Sequence, residues 1–93
     1  MTPFALRRLG RTEMRATEIG LGCARLGMPD RDDDNAIRSI RHAIERGVNY
    51  IDTSAGYGES ERRVGLALQG GWRDRVYLQT KTGTNPARPH DYT

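Results

Sequence analysis

The apolar residues of this chain form short runs, apart from one stripe that repeats at helical spacing. Ile37, Ile40 and Ile44 follow one another at intervals of three and four residues, which predicts an amphipathic helix over residues 36–47. Aspartates precede the stripe, where their carboxylates cap free backbone amides and suit the positive end of the helix dipole. Gly47 then ends the helix, because glycine readily adopts the conformation found just after a helix C-terminus.

The other apolar runs are short enough to be strands, with one further helix among them. This second, shorter helix is predicted from Ser60, as its N-cap, to Leu68. Near the start of the chain, residues 5–16 predict a β-hairpin around a polar turn that opens at Gly10. Single strands are predicted for three more runs: residues 19–23, 48–51 and 76–80.

This order of elements, a hairpin followed by strands that alternate with helices, predicts an α/β fold with a parallel sheet and right-handed crossovers. In such sheets the carboxyl ends of the strands lie along one edge, and functional residues gather there. Gly22, Asp52 and Lys81 each fall at or beside a predicted strand end. We therefore expect these three residues to be neighbours along one rim of the sheet.

The amino-acid composition says more about which partners the chain can bind than about its fold. Hydrophobic residues make up only 35% of the chain, which indicates a weak independent core or apolar faces that further sequence completes. The net charge of +3 would permit nucleic-acid binding, but arginines and acids are mixed along the chain, and the spacing of Arg41 and Glu45 predicts a solvated helix face. Because no aromatic residues interleave with the arginines as a stacking platform, nucleic-acid binding is not expected.

Disulfide, metal and membrane roles are not expected either. A single cysteine, Cys23, excludes an internal disulfide and a cysteine-based metal site, and it is expected to be a small buried residue. The aspartates within residues 30–34 would be a candidate cation site, but capping is the favoured role at a helix start. No run approaches the roughly 20 apolar residues of a membrane span, so a cytoplasmic protein without a membrane partner is expected.

The segment after the hairpin fits neither of two glycine-rich nucleotide-binding motifs. Gly20 and Gly22 begin a dinucleotide fingerprint, but Arg25 occupies the position that requires glycine or alanine. Gly22 and Gly27 have the glycine spacing of a P-loop, but Met28 replaces the lysine that binds phosphates.

Lys81 is the only lysine among fifteen basic residues, so its place at a strand end indicates a need for a compact ammonium. An ammonium beside a phenol stabilises the phenolate, and a carboxylate holds the ammonium in place. Tyr57 and Asp52, both in the segment around the end of the second single strand, supply these two groups. The three residues together would form a general acid that protonates a carbonyl oxygen while hydride reaches the carbon.

The residues that carry this chemistry resemble the aldo-keto reductase family. The similarity covers nearly the whole chain in the family's order, and its segments are Leu9-Gly10-Arg11-Thr12, residues 18–22, Asp52-Thr53-Ser54-Ala55-Gly56-Tyr57-Gly58 with Ser60-Glu61, and residues 73–83. The resemblance implies a (β/α)8 TIM barrel that an N-terminal hairpin precedes. Residues 1–93 would then be the N-terminal part of a single barrel domain, with the hairpin at 5–16, βα units at 18–81 and a loop at 82–93.

The resemblance also implies a cofactor, a reaction and a set of residue roles. The cofactor would be NADPH, and the substrates would be small aldehydes, ketones or sugar carbonyls, with alcohol oxidation as the reverse reaction. By position, Asp52, Tyr57 and Lys81 match three members of the family's catalytic tetrad, with Tyr57 as the proton donor. Gly22, Cys23 and Asp52 match residues at the nicotinamide end of the cofactor site. No oligomeric state is implied.

Three departures from the family's pattern accompany the resemblance. The tetrad's histidine has no counterpart, because His90 follows Lys81 too closely for a crossover between parallel strands. Glu13 replaces the usual glycine of the hairpin turn, which predicts strain where a positive φ is preferred. The chain holds about three of the eight βα units in a barrel of roughly 250 residues. The 93-residue chain is therefore expected to be inactive alone. It would be part of a full-length reductase or, alternatively, a truncated interaction module.

Overall fold

The structure is a computed structural model, and it describes residues 4–81 of the chain. In chain order its elements are β1 (Leu6–Arg8), β2 (Arg15–Thr17), β3 (Leu21–Gly22), α1 (Asp33–Glu45), β4 (Tyr50–Asp52), α2 (Ser60–Ala67) and β5 (Tyr77–Gln79). Two short 3₁₀ turns, Arg25–Gly27 and Trp72–Arg75, precede α1 and β5. The predicted order of strands and helices is confirmed, although most of the strands are shorter than the apolar runs that predicted them.

The strands form two separate sheets. β3, β4 and β5 are parallel neighbours in that spatial order, and β1 pairs with β2 in an antiparallel hairpin. Gly22 lies opposite Asp52, and Asp52 lies opposite Gln79, so the carboxyl ends of the three parallel strands meet at one edge. At the amino end of β4 the amide of Thr17 donates a 2.7 Å hydrogen bond to the side-chain oxygen of Asn49. The hairpin is therefore attached at the edge of the sheet away from the predicted site.

The core lies on the face of the parallel sheet that α1 and α2 cover. Ile40 of α1, Ile51 of β4 and Val64 of α2 are fully buried and meet in one apolar cluster. The other members of this cluster are Cys23, Leu26, Ala36, Ile44, Ala67, Leu68 and Val76. Because their burial removes apolar surface from water, this cluster is the main source of stabilisation for the described part of the chain.

The starts of the two helices differ in how well the sequence predicts them. Asp32 caps α1, and its carboxylate accepts a 2.6 Å hydrogen bond from the amide of Asn35, which confirms the capping role of the aspartates. The prediction that Ser60 caps α2 is wrong, because Glu59 occupies the cap position and Ser60 is the first helical residue. The hydroxyl of Ser60 is buried 2.6 Å from that of Thr53, so it bonds within the interior instead of at the helix end.

Glu13 causes no strain in the hairpin turn. Within residues 4–81, every residue with a positive φ is a glycine. Gly10, with φ at 54°, takes the left-handed conformation of this turn, and the Thr12 hydroxyl closes it by donating to the Leu9 carbonyl oxygen at 2.7 Å. The predicted strain is therefore wrong, because the turn takes its left-handed residue before Glu13 and not at it.

Within residues 4–81, no helix is long and apolar enough to cross a membrane, and no cluster of three or more His, Cys, Asp or Glu residues could hold a metal ion. His90 and the predicted loop at 82–93 lie outside the described residues. The assignment of residues 1–93 to one barrel domain and the cytoplasmic location stay predictions.

Candidate active site

Three polar side chains meet at the carboxyl end of the parallel sheet. Asp52 is the last residue of β4, and Lys81 follows β5. Because these strands run in parallel with Asp52 opposite Gln79, the register brings Lys81 beside Asp52. Tyr57 lies in the loop between β4 and α2. The structure thus brings together the three residues that the sequence marks as candidates for catalysis.

Lys81 is the centre of this cluster. Its Nζ donates a 2.6 Å hydrogen bond to Asp52 Oδ1 and a 3.2 Å bond to the carbonyl oxygen of Thr53. The same ammonium donates to the Tyr57 hydroxyl at 3.4 Å and lies 5.0 Å from the centroid of the tyrosine ring. The hydrogen bond to Asp52 raises the pKa of Lys81 above its ordinary value, although desolvation opposes this. The lysine is therefore charged at neutral pH and places positive charge beside the phenol.

Hydrogen bonds close the loop that carries Tyr57. The buried hydroxyls of Thr53 and Ser60 lie 2.6 Å apart and join the residue after β4 to the first residue of α2. Inside the loop, the amide of Tyr57 donates to the Ser54 carbonyl oxygen at 3.1 Å, and the amide of Ser60 donates to the Tyr57 carbonyl oxygen at 2.9 Å. The sequence does not predict the pairing of Thr53 with Ser60, because two hydroxyl residues at this separation carry no periodic signal.

Gly22 borders open space at the same rim. It is exposed and lies opposite Asp52, and nothing lies within 4 Å of the position that a Cβ would take there. A ligand ring can therefore approach the Asp52 side of the cluster without a side chain in its way. This environment suits the cofactor-binding role that the resemblance assigns to Gly22.

Cys23, the next residue, is in a different environment. Its side chain is fully buried in the apolar core, and burial, together with the charge of Asp52, raises the pKa of its thiol to about 11. Its amide donates a 2.9 Å hydrogen bond to the carbonyl oxygen of Asp52. The expectation of a small buried residue is confirmed, and the predicted cofactor contact of Cys23 cannot involve its thiol.

A cleft of about 460 Å³ adjoins the cluster on the sheet face that the helices leave uncovered. Gly22, Asp52 and Gln79 line this cleft at the carboxyl end of the strands, and Tyr50 lines it closer to the hairpin. The side chains of Asp52 and Lys81 are 31% and 39% exposed. The carboxylate of Asp52 and the ammonium of Lys81 are therefore both open to small molecules.

Comparison with known proteins gives this arrangement a family context. A model of the aldo/keto reductase family matches residues 18–93. The chain is 33% identical to 6-dehydroglucose reductase from Novosphingobium aromaticivorans, a match that covers 96% of this chain and 33% of the relative. It is also 40% identical to aldo-keto reductase YhdN from Bacillus subtilis, over 76% of this chain and 23% of that protein.

Solved structures show the same similarity in three dimensions. An aldo-keto reductase from Bacillus halodurans, solved in its holo form, superposes with a TM-score of 0.78 at 29% identity, over 97% of this chain and 30% of that one. The chain thus spans about a third or less of the length of these relatives. The predicted fold class is confirmed, since the described strands and helices match part of a TIM barrel and do not close one themselves.

Proposed function

Because the chain belongs to the aldo/keto reductase family, we propose that it serves in the NADPH-dependent reduction of aldehydes and ketones, with alcohol oxidation as the reverse reaction. The observation that carries this proposal is the Lys81 ammonium, which binds the Asp52 carboxylate and contacts the Tyr57 hydroxyl at the carboxyl end of the sheet. A carbonyl reductase needs such a group, since a proton must reach the carbonyl oxygen as the carbon is reduced.

In the proposed reaction Tyr57 is the general acid. When bound, a nicotinamide cofactor would supply the hydride for the carbonyl carbon. The Tyr57 hydroxyl gives its proton to the carbonyl oxygen, which leaves a phenolate that the positive charge of Lys81 stabilises. Asp52 holds the ammonium in place through the 2.6 Å hydrogen bond. In the reverse direction the phenolate accepts the proton of the alcohol.

The residues at the rim fit the reactive end of a nicotinamide cofactor. Gly22 leaves open space beside Asp52, and the backbone of Cys23 borders the same edge. We assign these three residues to holding the nicotinamide end near Tyr57. The choice of NADPH over NADH rests on the family resemblance.

We propose small carbonyl compounds, sugar carbonyls among them, as the substrates. One relative carries the name 6-dehydroglucose reductase, which supports a sugar carbonyl as a substrate class.

The substitution Tyr57→Phe tests the proposal in the full product of the native gene. Loss of the proton donor should lower kcat for carbonyl reduction by about 10²- to 10⁴-fold. The dissociation constant for NADPH should stay within about twofold, since the ring remains and only the hydroxyl is lost. NADPH consumption on a panel of carbonyl compounds measures the first quantity, and fluorescence titration of the cofactor measures the second.

Tyr77→Phe is the matched control for this experiment. Tyr77 is half-buried like Tyr57, but its hydroxyl accepts a hydrogen bond from the amide of Arg15 in the hairpin, at the other end of the strand. Its kcat should equal that of the unmodified protein. Turnover that survives Tyr57→Phe unchanged would show that Tyr57 is not the proton donor.

A further inference from the structure

Arg63 is the one charged residue within residues 4–81 that is buried, with 7% of its surface exposed. Its Nη1 donates to the carbonyl oxygen of Leu26 at 2.7 Å and to that of Met28 at 3.1 Å. Its Nε donates to Asp33 Oδ1 at 3.0 Å. A buried guanidinium is costly unless its donors are bonded, so these contacts account for its burial and hold the turn at Leu26–Met28 in place.

The residue between the two carbonyl groups, Gly27, is packed against the backbone of Tyr57. A Cβ at Gly27 would lie 1.8 Å from the Tyr57 carbonyl oxygen, which leaves room for a hydrogen atom and nothing larger. The Gly27 carbonyl oxygen accepts a 3.0 Å hydrogen bond from the amide of Glu59. Gly58 takes a positive φ of 56° beside it, and a Cβ there would lie 2.5 Å from the same oxygen. The backbone around Tyr57 therefore packs directly against the Leu26–Met28 turn.

We propose that Arg63 is a positioning residue for Tyr57: by holding the Leu26–Met28 turn, it fixes the backbone on which the phenol is carried. The chain of contacts runs from the guanidinium to the two carbonyl groups, from Gly27 to the Tyr57 backbone, and from the phenol to Lys81. The Tyr57–Lys81 contact is long, at 3.4 Å, so the loop backbone has to set the place of the hydroxyl. This inference rests on the proposed function for its catalytic consequence.

Arg62 offers a contrast on the same helix. Its side chain is 51% exposed, and it binds the carboxylates of Asp33 and Glu59. Like Arg63, it forms an ion pair with Asp33, but none of its hydrogen bonds within residues 4–81 reaches the Leu26–Met28 turn. A comparison of the two arginines therefore separates the contact with the turn from the loss of a positive charge.

The catalytic test compares Arg63→Met with Arg62→Met in the full product of the native gene. A small misplacement of a catalytic group is costly, so Arg63→Met should lower kcat by about 10- to 100-fold with the NADPH dissociation constant nearly unchanged. The primary deuterium isotope effect with deuterated NADPH should rise, because the chemical step becomes slower than product release. Arg63→Lys should recover part of kcat, because an ammonium can still bond one carbonyl group. Arg62→Met should keep kcat within about twofold.

A second measurement needs no turnover and tests the contact itself. Hydrogen exchange of the Glu59 amide, which donates to Gly27, should accelerate at least about tenfold in Arg63→Met. In Arg62→Met it should change by less than about twofold, since that variant loses only an exposed ion pair with the Glu59 carboxylate. If the unmodified protein reduces no carbonyl compound, the proposed function fails while this comparison still decides whether Arg63 holds the loop. If Arg63→Met does not fold, Arg63→Lys replaces it in the same comparison.

The outcomes separate positioning from simple stabilisation. Equal exchange of the Glu59 amide in the Arg63 and Arg62 variants overturns the proposal, whatever their activity. Accelerated exchange with an unchanged kcat per folded molecule also overturns it, because a merely structural residue would behave in that way. Gly27→Ala should reproduce the loss of kcat, whereas Gly65→Ala in α2 should not, since nothing lies within 4 Å of a Cβ at Gly65.

Discussion

At the scale of single residues, the position of the Lys81 ammonium determines the chemistry that the carboxyl end of the parallel sheet can support. Lys81 Nζ donates to a carboxylate, a carbonyl oxygen and a phenol at once, from Asp52, Thr53 and Tyr57. A lysine suits this position because its three donors rotate about a compact charge. Arginine would present a flat and rigid fork that is matched to paired oxygens in one plane. The residue type therefore matters here as well as the charge.

Lys81→Met and Lys81→Arg test that statement. We expect Lys81→Met to lower kcat by about 10²- to 10⁴-fold, because the phenolate left by proton transfer loses its stabilising charge. Lys81→Arg should restore little of this loss, since the larger guanidinium displaces the phenol. Steady-state NADPH consumption measures both, with Arg38→Met as an exposed cation control on α1. Full activity in Lys81→Arg would show that charge alone is sufficient.

At the scale of elements, charged side chains join α1 to the α2 region at both ends. Asp33, in the first turn of α1, accepts two 2.9 Å hydrogen bonds from Arg62 of α2. At the other end, Arg41 donates to the carbonyl oxygen of Ala67 at 2.9 Å and lies over the ring of Trp72 at 5.2 Å. The expected solvated face at Arg41 is therefore wrong, because its long side chain reaches the end of the neighbouring helix.

The Asp33 ion pairs predict an acid-sensitive contribution to stability. Hydrogen bonds from Arg62 and then Arg63 lower the pKa of Asp33 from 3.8 to about 2. A carboxylate whose pKa is lowered by folding stabilises the fold above its unfolded pKa, and this contribution is lost as the pH falls towards the folded pKa. Between about pH 4 and pH 2, the Tm of the unmodified protein should therefore fall more steeply than that of Asp33→Asn.

Thermal melts followed by circular dichroism check this prediction in the full product of the native gene. Asp34→Asn is the control, because Asp34 is exposed and forms no ion pair with another residue in the range 4–81. Its Tm should fall with pH in parallel with that of the unmodified protein. An equally steep fall of Tm with pH in Asp33→Asn would mean that the Asp33 carboxylate does not contribute to stability in this pH range.

At the scale of the whole molecule, the helices cover the parallel sheet unevenly. Ile51 of β4 and Leu78 of β5 lie opposite each other on one face. Ile51 is fully buried, but Leu78 is 37% exposed. Within the described part of the chain β5 is also an edge strand, with a partner on one side. An exposed apolar side chain on an edge strand favours association with another chain.

A polypeptide of these 93 residues alone is therefore expected to self-associate. It is also expected to reduce no carbonyl compound, because it spans about a third or less of the length of its relatives. Sedimentation velocity should show species heavier than the 10.4 kDa monomer, in a proportion that rises with concentration. Leu78→Lys should shift the distribution towards the monomer, because a charge opposes pairing at an edge. Gln69→Lys, at an exposed position after α2, should not. A monomer at all concentrations would mean that this edge is protected.

Local patterns in the sequence determined the order of the elements and the three central side chains of the site. The spacing of Ile37, Ile40 and Ile44 predicts α1 because neighbours in a helix recur every three to four residues. Asp52 and Lys81 could be placed together because each follows a strand, and parallel strands end at one edge. A single lysine in an arginine-rich chain made Lys81 conspicuous.

Tertiary structure alone decided how Tyr57 is held. The Thr53–Ser60 pair, the contact of Gly27 with the tyrosine backbone and the burial of Arg63 all join residues that no period or motif connects. In the sequence, Arg62 and Arg63 are equivalent neighbours, and only the direction in which α2 turns each side chain makes one exposed and the other buried. Sequence patterns report regular local geometry, whereas such contacts depend on where separate elements meet in space.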